Sequence, residues 1–391
     1  MPESRTPPMN IRTRMIIIVT AVTLVTIIAA GGMFLYLRDN KPQGHTDLIT
    51  LAAIANSGSP QETDSDLITH LAFTDGHPDD TQFKVSLTDI QGRTLPPDAA
   101  YEVSIGLTNL NTGSVIEPRP MDLVSDVLTP TFELKEPGLD EEGWWRIRTD
   151  ITPPEGDALA SEFYILLPDP NLAGFESPPA SDDNPEAAAM LSTAITQMSE
   201  WTSLRWWEWL SGGNDSLIMA DFAVTTTDAN GQPPAFQNDM LFAGGFERKA
   251  DGAPPAPPAR NHYTAITIGE QAWSRNADGE VKPMSPTRYL PINRYPETYQ
   301  GATSIQLGIQ EDIDGRTAQV VTFHVPTLPT QSEAWYAFWI DTETGDILKL
   351  AMVANNHYMI WIYTDINEPF IIAPPAGAEN TIATPLATPS P

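Results

Sequence analysis

Residues 334–354 read AWYAFWIDTETGDILKLAMVA, two strands joined by a tight turn. Ala334 to Asp341 and Asp346 to Asn355 are strand candidates, rich in aromatic and aliphatic residues. Between them, Thr342 to Gly345 places a glycine where a hairpin needs φ > 0. Trp335, Phe338, Ile340, Ile347, Leu348 and Leu350 supply apolar side chains to the two faces of the hairpin.

Working outward, the same habit continues on both sides. Trp207 to Leu210, Ser216 to Thr227, His262 to Ile268, Gln271 to Arg275, Thr303 to Glu311, Thr317 to His324 and His357 to Thr364 all read as strands. One stretch departs from the pattern. Ala187, Met190, Leu191, Ala194, Ile195 and Met198 recur at helical spacing after Pro185, which predicts a helix over 186–201. The segment 228–260 is longer than a hairpin loop and contains the run APPAPPA at 253–259. Residues 376–391 are rich in Pro, Thr and Ala and read as a tail.

A second β-rich region lies upstream, over 70–168. Phe83 to Leu87, Tyr101 to Leu107, Thr131 to Leu134, Trp144 to Arg148 and Ser161 to Leu167 alternate with period two. Such short runs, separated by Pro and Gly, predict an antiparallel sandwich. Residues 169–185, rich in Pro, Ser and Asp, read as a linker to the C-terminal region 186–375. Residues 38–69 read as a polar stalk with a short helical piece at Leu48 to Ala55. The expected class is therefore mainly β, with an α+β C-terminal part.

Met15 to Leu37 has no charge. At about 1.5 Å per residue it spans roughly 35 Å, enough to cross a hydrocarbon core of about 30 Å. Arg5, Arg12 and Arg14 precede it, while acids soon dominate after Arg38 and Lys41. The positive-inside rule places residues 1–14 in the cytoplasm and the rest outside. A cleaved signal peptide ending near Ala29-Ala30-Gly31-Gly32 is the alternative; the apolar run beyond those residues is long for one.

Composition narrows the function. The 391 residues carry 51 acids against 21 bases, a net charge of -30, which disfavours nucleic acid as a partner. Cysteine is absent, which rules out disulfides, thiol nucleophiles, cysteine metal sites and a lipidated cysteine. No phosphate loop, dinucleotide fingerprint or Ser-His-Asp signature occurs, and the chain does not read as an enzyme.

Two resemblances follow from particular segments. Residues 101–107, Met121, Gly143-Trp144-Trp145-Arg146-Ile147 and Ala160 to Tyr164 resemble the YtkA-like, immunoglobulin-like domains associated with copper resistance. Residues 265–275, 339–349 and 363–374, in that order, resemble the LolA/LppX/LprG superfamily of envelope lipoproteins. The second resemblance implies a half-open antiparallel barrel wrapping a helix, and an apolar ligand such as a lipid held between them. Lipoproteins of that kind need a cysteine that this chain lacks, so the resemblance implies a stationary binder on a helical anchor.

Candidate residues follow from these readings. For an apolar ligand they are Trp207, Trp273, Trp335, Phe338, Trp339 and Trp361. For copper they are His70 and His77, with carboxylates between them, and His357 with Met359, which share one face of a strand. Each has a plain structural alternative: a half-buried strand whose methionine packs in the core, a solvated acidic loop, and a Trp201/Trp206/Trp207/Trp209 cluster that packs helix on sheet. Three functions stay open at this point: apolar-ligand binding, copper handling, and a purely structural ectodomain whose protein partner is unknown.

Overall fold

The computed structural model describes residues 48–378, apart from 58–66, 75–80, 91, 97–98, 125–126, 128, 174, 176, 178–179, 214–215, 227–232, 245–260, 277–278, 287–295, 300 and 328–331. The predicted anchor, His77 and residues 379–391 of the expected tail lie outside the described residues. Among the described residues no helix is long and apolar enough to cross a membrane.

Nine strands precede the helix. They are β1 Leu48–Ile54, β2 Leu67–Thr74, β3 Gln82–Asp89, β4 Glu102–Asn109, β5 Val115–Pro120, β6 Asp122–Leu123, β7 Thr131–Leu134, β8 Gly143–Thr152 and β9 Leu159–Leu167. They form two antiparallel sheets, ordered β1-β2-β3-β7-β6 and β5-β4-β8-β9. β4 shows the predicted alternation: Val103, Ile105, Leu107 and Asn109 are buried and the residues between them are not. The inward residues of both sheets, among them Phe73, Phe83, Ile105, Trp145 and Phe163, share one core.

Leu48–Ile54 is a strand, not the short helical piece expected of a stalk. Its run LITLAAI is seven residues, too short for periodicity to separate helix from strand. The strand is buried along most of its length because it touches three partners. It pairs with β2 throughout, Asn56 just beyond it bridges to Ala160, and Ala52 meets the C-terminal sheet. There the Trp209 indole donates to the Ala52 carbonyl at 2.9 Å, and the Ala52 amide donates to Ser211 Oγ at 3.1 Å.

Helix α1 spans Pro185–Met198. Asn184 caps it, its side chain accepting from the amides of Glu186 and Ala187, and Pro185 takes the first turn where no amide donor is needed. Ala187, Leu191, Ala194 and Met198 form its buried stripe.

Eleven strands follow: β10 Ser203–Ser211, β11 Ser216–Thr225, β12 Ala235–Gly244, β13 Asn261–Ile268, β14 Gln271–Asn276, β15 Val281–Pro283, β16 Thr303–Ile313, β17 Arg316–Val325, β18 Ala334–Asp341, β19 Ile347–Ala354 and β20 His357–Thr364. They make one antiparallel sheet, ordered β15-β14-β13-β12-β11-β10-β20-β19-β18-β17-β16. The sheet is open, with edges at β15 and β16. The predicted hairpin is its β18–β19 pair, with Gly345 at φ +79° in the turn.

Every residue of β18 is buried, because the sheet is covered on both sides there. One face packs on the nine-strand region: Trp207, Trp209, Trp335, Trp339, Val353 and Ile362 belong to the same core as Phe163 and Trp145. On the other face, Trp206, Phe338, Leu350, Trp361 and Tyr363 share a second core with Leu191 and Met198 of α1. Polar contacts pin the first face. Arg146 Nη1 meets Glu311 Oε1 at 2.5 Å, and the Trp339 indole donates to Glu311 Oε2 at 2.6 Å. Lys349 Nζ donates to the Tyr164 hydroxyl and lies 4.3 Å and 4.8 Å from the centres of the Tyr164 and Trp339 rings.

Candidate functional site

Strand parity sorts the six residues expected to bind an apolar ligand. Trp207, Trp335 and Trp339 face the nine-strand region, where they are interior packing. Trp335 meets the Phe175 ring edge-on at 5.6 Å and stacks on His324 at 4.9 Å. Trp273 lies in a small third core with Ile266, Ile372 and Ala378. Only Phe338 and Trp361 face the helix, and Phe338 is fully covered by Tyr299, Phe323 and Tyr336. The space under α1 is thus filled by side chains.

The helix lies chiefly on β16, β17 and β18. The same face of the sheet continues past it over β20, β10, β11 and β12. There a band of six aromatic rings, all buried except the half-buried Phe222, runs from strand to strand. Trp201 meets Tyr363 at 5.5 Å, Tyr363 meets Trp361 at 6.1 Å, and Trp361 meets Trp206 at 6.3 Å. Trp206 stacks on Phe222 at 4.5 Å and 7°, and Phe222 meets Phe236 at 6.1 Å. Phe222, Met352 and Met359 pack on this band while remaining only half-buried.

One acid stands in the band. Glu208 is the register partner of Trp361 on β20 and of Ala220 on β11, and it follows Trp206 by two residues on the same face. Burial pushes its carboxyl up to about 7, against the pull of the neighbouring Trp361 and Trp206 indole N–H groups, which favour the charged form. Among the described residues, no lysine or arginine shares that face of β10, β11, β12 or β20. The nearest basic residue in sequence, Arg205, points to the other face and pairs with Asp365 at 3.0 Å.

Of the proposed metal residues, His77 lies outside the described residues, and His70 and His357 sit in different sheets. His70 is buried in the five-stranded sheet, 2.7 Å from Thr88 Oγ1. His357 and Met359 share the helix-side face of β20 as expected, and Met359 is in register with Met352. Burial pushes His357 down to about 4, so its imidazole is neutral at pH 7. Among the described residues no three His, Asp or Glu side chains group to hold a metal.

A void of about 50 Å³ lies between the nine-strand region and the sheet, lined by Ala53, Arg148, Ser161, Tyr164, Trp209 and Lys349, among others. It is large enough for a few waters and far below the roughly 300 Å³ at which small-molecule pockets begin. The helix-side band is the better candidate for an apolar ligand.

Sequence reasoning missed Phe222 and Glu208, and held Trp206 only as one of a dense cluster with Trp201, Trp207 and Trp209. The signal was present in Arg205-Trp206-Trp207-Glu208-Trp209: consecutive strand residues take opposite faces, so Trp206 and Glu208 had to part from Trp207 and Trp209.

No family model matches the sequence, and no curated protein does. Solved structures do show likenesses. The lipoprotein LppX of Mycobacterium tuberculosis is 17% identical, with a TM-score of 0.34, over 49% of this chain and all of that one. LprF of Mycobacterium bovis is 13% identical, with a TM-score of 0.37, over 50% of this chain and all of that one. A DUF1329 family protein from Desulfovibrio piger is 12% identical, with a TM-score of 0.19, over 49% of this chain and 96% of that one. At such values these likenesses decide neither ligand nor activity.

Proposed function

We propose that this chain is a membrane-anchored, extracytoplasmic binding protein that takes an apolar or amphiphilic ligand along the aromatic band beside α1. The observation that carries this reading is a half-buried strip of Phe222, Met352 and Met359 on the helix-side face, backed by the buried rings of Trp206, Phe236 and Trp361. Apolar faces of this kind gain about 25 cal/mol for each Å² a ligand covers. The ligand lies against a strip rather than inside a closed cavity. Residues 15–37 supply the anchor in this reading, and the acidic surface keeps the remainder soluble. Binding, not catalysis, is the role, since the sequence offers no nucleophile paired with a base.

Equilibrium dialysis of decanol against the full chain in nanodiscs, with empty nanodiscs as the blank, tests the reading. Saturable uptake that Phe222→Arg removes supports it. Uptake no greater than the blank, or unchanged by Phe222→Arg, overturns it.

A second reading, copper(I) handling, rests on one arrangement: neutral His357 next but one to Met359, itself in register with Met352. Imidazole and thioether suit that ion. Competition for Cu(I) against a chromogenic chelator decides it. The reading needs an affinity that the His357→Ala/Met359→Leu pair abolishes, and it fails if the pair binds as tightly as the parent.

A further inference from the structure

We infer that the ligand of the aromatic band carries a protonated amine, and that Glu208 is the group that receives it. This rests on the binding reading above and adds the chemistry of the ligand's polar end.

A half-buried acid on an apolar face is costly in its charged form, which either a proton or a cationic partner relieves. Glu208 stands where β10, β11 and β20 meet, with Trp361 and Ala220 opposite it in register. Among the described residues no lysine or arginine on that face of β10, β11, β12 or β20 answers it: Arg205 is turned to the other face and paired with Asp365. An ionised carboxylate is an acceptor with about four lone-pair directions. The two indole N–H groups beside Glu208 can address at most two of them. What is missing is a charged donor, and a primary ammonium supplies both the charge and the N–H groups. A carboxylate or phosphate head would set like charge against Glu208 and is disfavoured by the same geometry. An alcohol offers one neutral donor and leaves the charge unanswered.

The neighbouring band fits the rest of such a molecule. Phe222, stacked on the buried Trp206, shares the face of Glu208 with Met352 and Met359, and an alkyl chain can lie on these half-buried side chains. The ligand class is therefore an alkyl amine or an amine-headed lipid, bound head at Glu208 and chain along Phe222, Met352 and Met359.

The test is equilibrium dialysis of decylamine, decanol and decanoate against the full chain in nanodiscs at neutral pH and moderate salt, with empty nanodiscs subtracted. The expected order is decylamine first, at least about tenfold over decanol, with decanoate weakest. Glu208→Gln is expected to level decylamine with decanol. It removes one of 51 acids, so general attraction of cations to an acidic protein is left nearly unchanged. Equal affinities for decylamine and decanol in the parent, or a preference that survives Glu208→Gln, overturns the inference while leaving apolar binding intact. Uptake of none of the three removes the binding reading itself. The head-group comparison on the parent chain decides the matter even where the variant does not fold.

Discussion

Trp206 and Trp207 are adjacent in the chain and belong to different cores. Trp206 stacks on Phe222 on the helix side, whereas Trp207 is buried with Ile360 and Met219 against the nine-strand region. The difference predicts different consequences for the same substitution. Trp207→Ala is expected to lower unfolding free energy by about 3–5 kcal/mol, with ligand uptake per folded molecule unchanged. Trp206→Ala is expected to reduce uptake as well. Chemical denaturation together with dialysis on the folded fraction separates the two.

The contact between Lys349 and Tyr164 joins the C-terminal sheet to the nine-strand region. Burial pushes the lysine down, and the Tyr164 hydroxyl is its hydrogen-bond acceptor. Tyr164→Phe removes that acceptor and leaves a buried ammonium short of a partner, at an expected cost of about 1–3 kcal/mol. Lys349→Met removes the charge as well and is expected to cost less than Tyr164→Phe. Denaturant midpoints of the two variants check the order.

Asp169 gives stability a pH dependence of known sign. It is fully buried and accepts the Tyr358 hydroxyl at 2.9 Å and the Asn171 amide at 2.8 Å. Burial pushes its carboxyl up to about 7. The unfolded chain releases this proton near pH 4, so the folded state binds the extra proton between about 4 and 7. The stabilising contribution is full below about pH 4 and is lost as pH rises through about 7. Glu208, also raised to about 7, acts in the same direction. Asp169→Asn is therefore expected to flatten part of the fall in stability between pH 5 and pH 8. Urea titrations of parent and variant across that range measure it, and parallel curves would count against this account.

Gly345 tests the turn that the sequence announced. It sits at φ +79°, and a Cβ there would lie 2.8 Å from the Gln197 side-chain oxygen. Gln197 also donates to the Thr344 carbonyl at 2.7 Å, which ties the end of α1 to this hairpin. Gly345→Ala is expected to cost more than about 1 kcal/mol, read as a lowered melting temperature.

Some of this was legible before any coordinates. The β18–β19 hairpin was, because Gly345 and two apolar runs leave little choice. So was α1, whose buried stripe repeats at helical spacing after Pro185. Leu48–Ile54 was not: a seven-residue apolar run has no decisive period, and its partners lie in three different parts of the fold. The candidate site was legible only in part. Trp361 was found by its residue type, but Trp207 and Trp339 are equally aromatic and face the opposite way. Which face a helix leaves uncovered depends on where α1 lands, and no local pattern records that. Glu208 was passed over because a single acid in a chain of 51 acidic residues carries no signal until its neighbours are known.

The central claim is that the helix-side band holds an apolar molecule. Native mass spectrometry of the full chain released from nanodiscs, followed by organic extraction, tests it most directly. The account predicts one added apolar mass per chain, retained in Trp273→Ala and lost in Phe222→Arg. A bare mass for the parent chain, or an added mass that persists in Phe222→Arg, would contradict it.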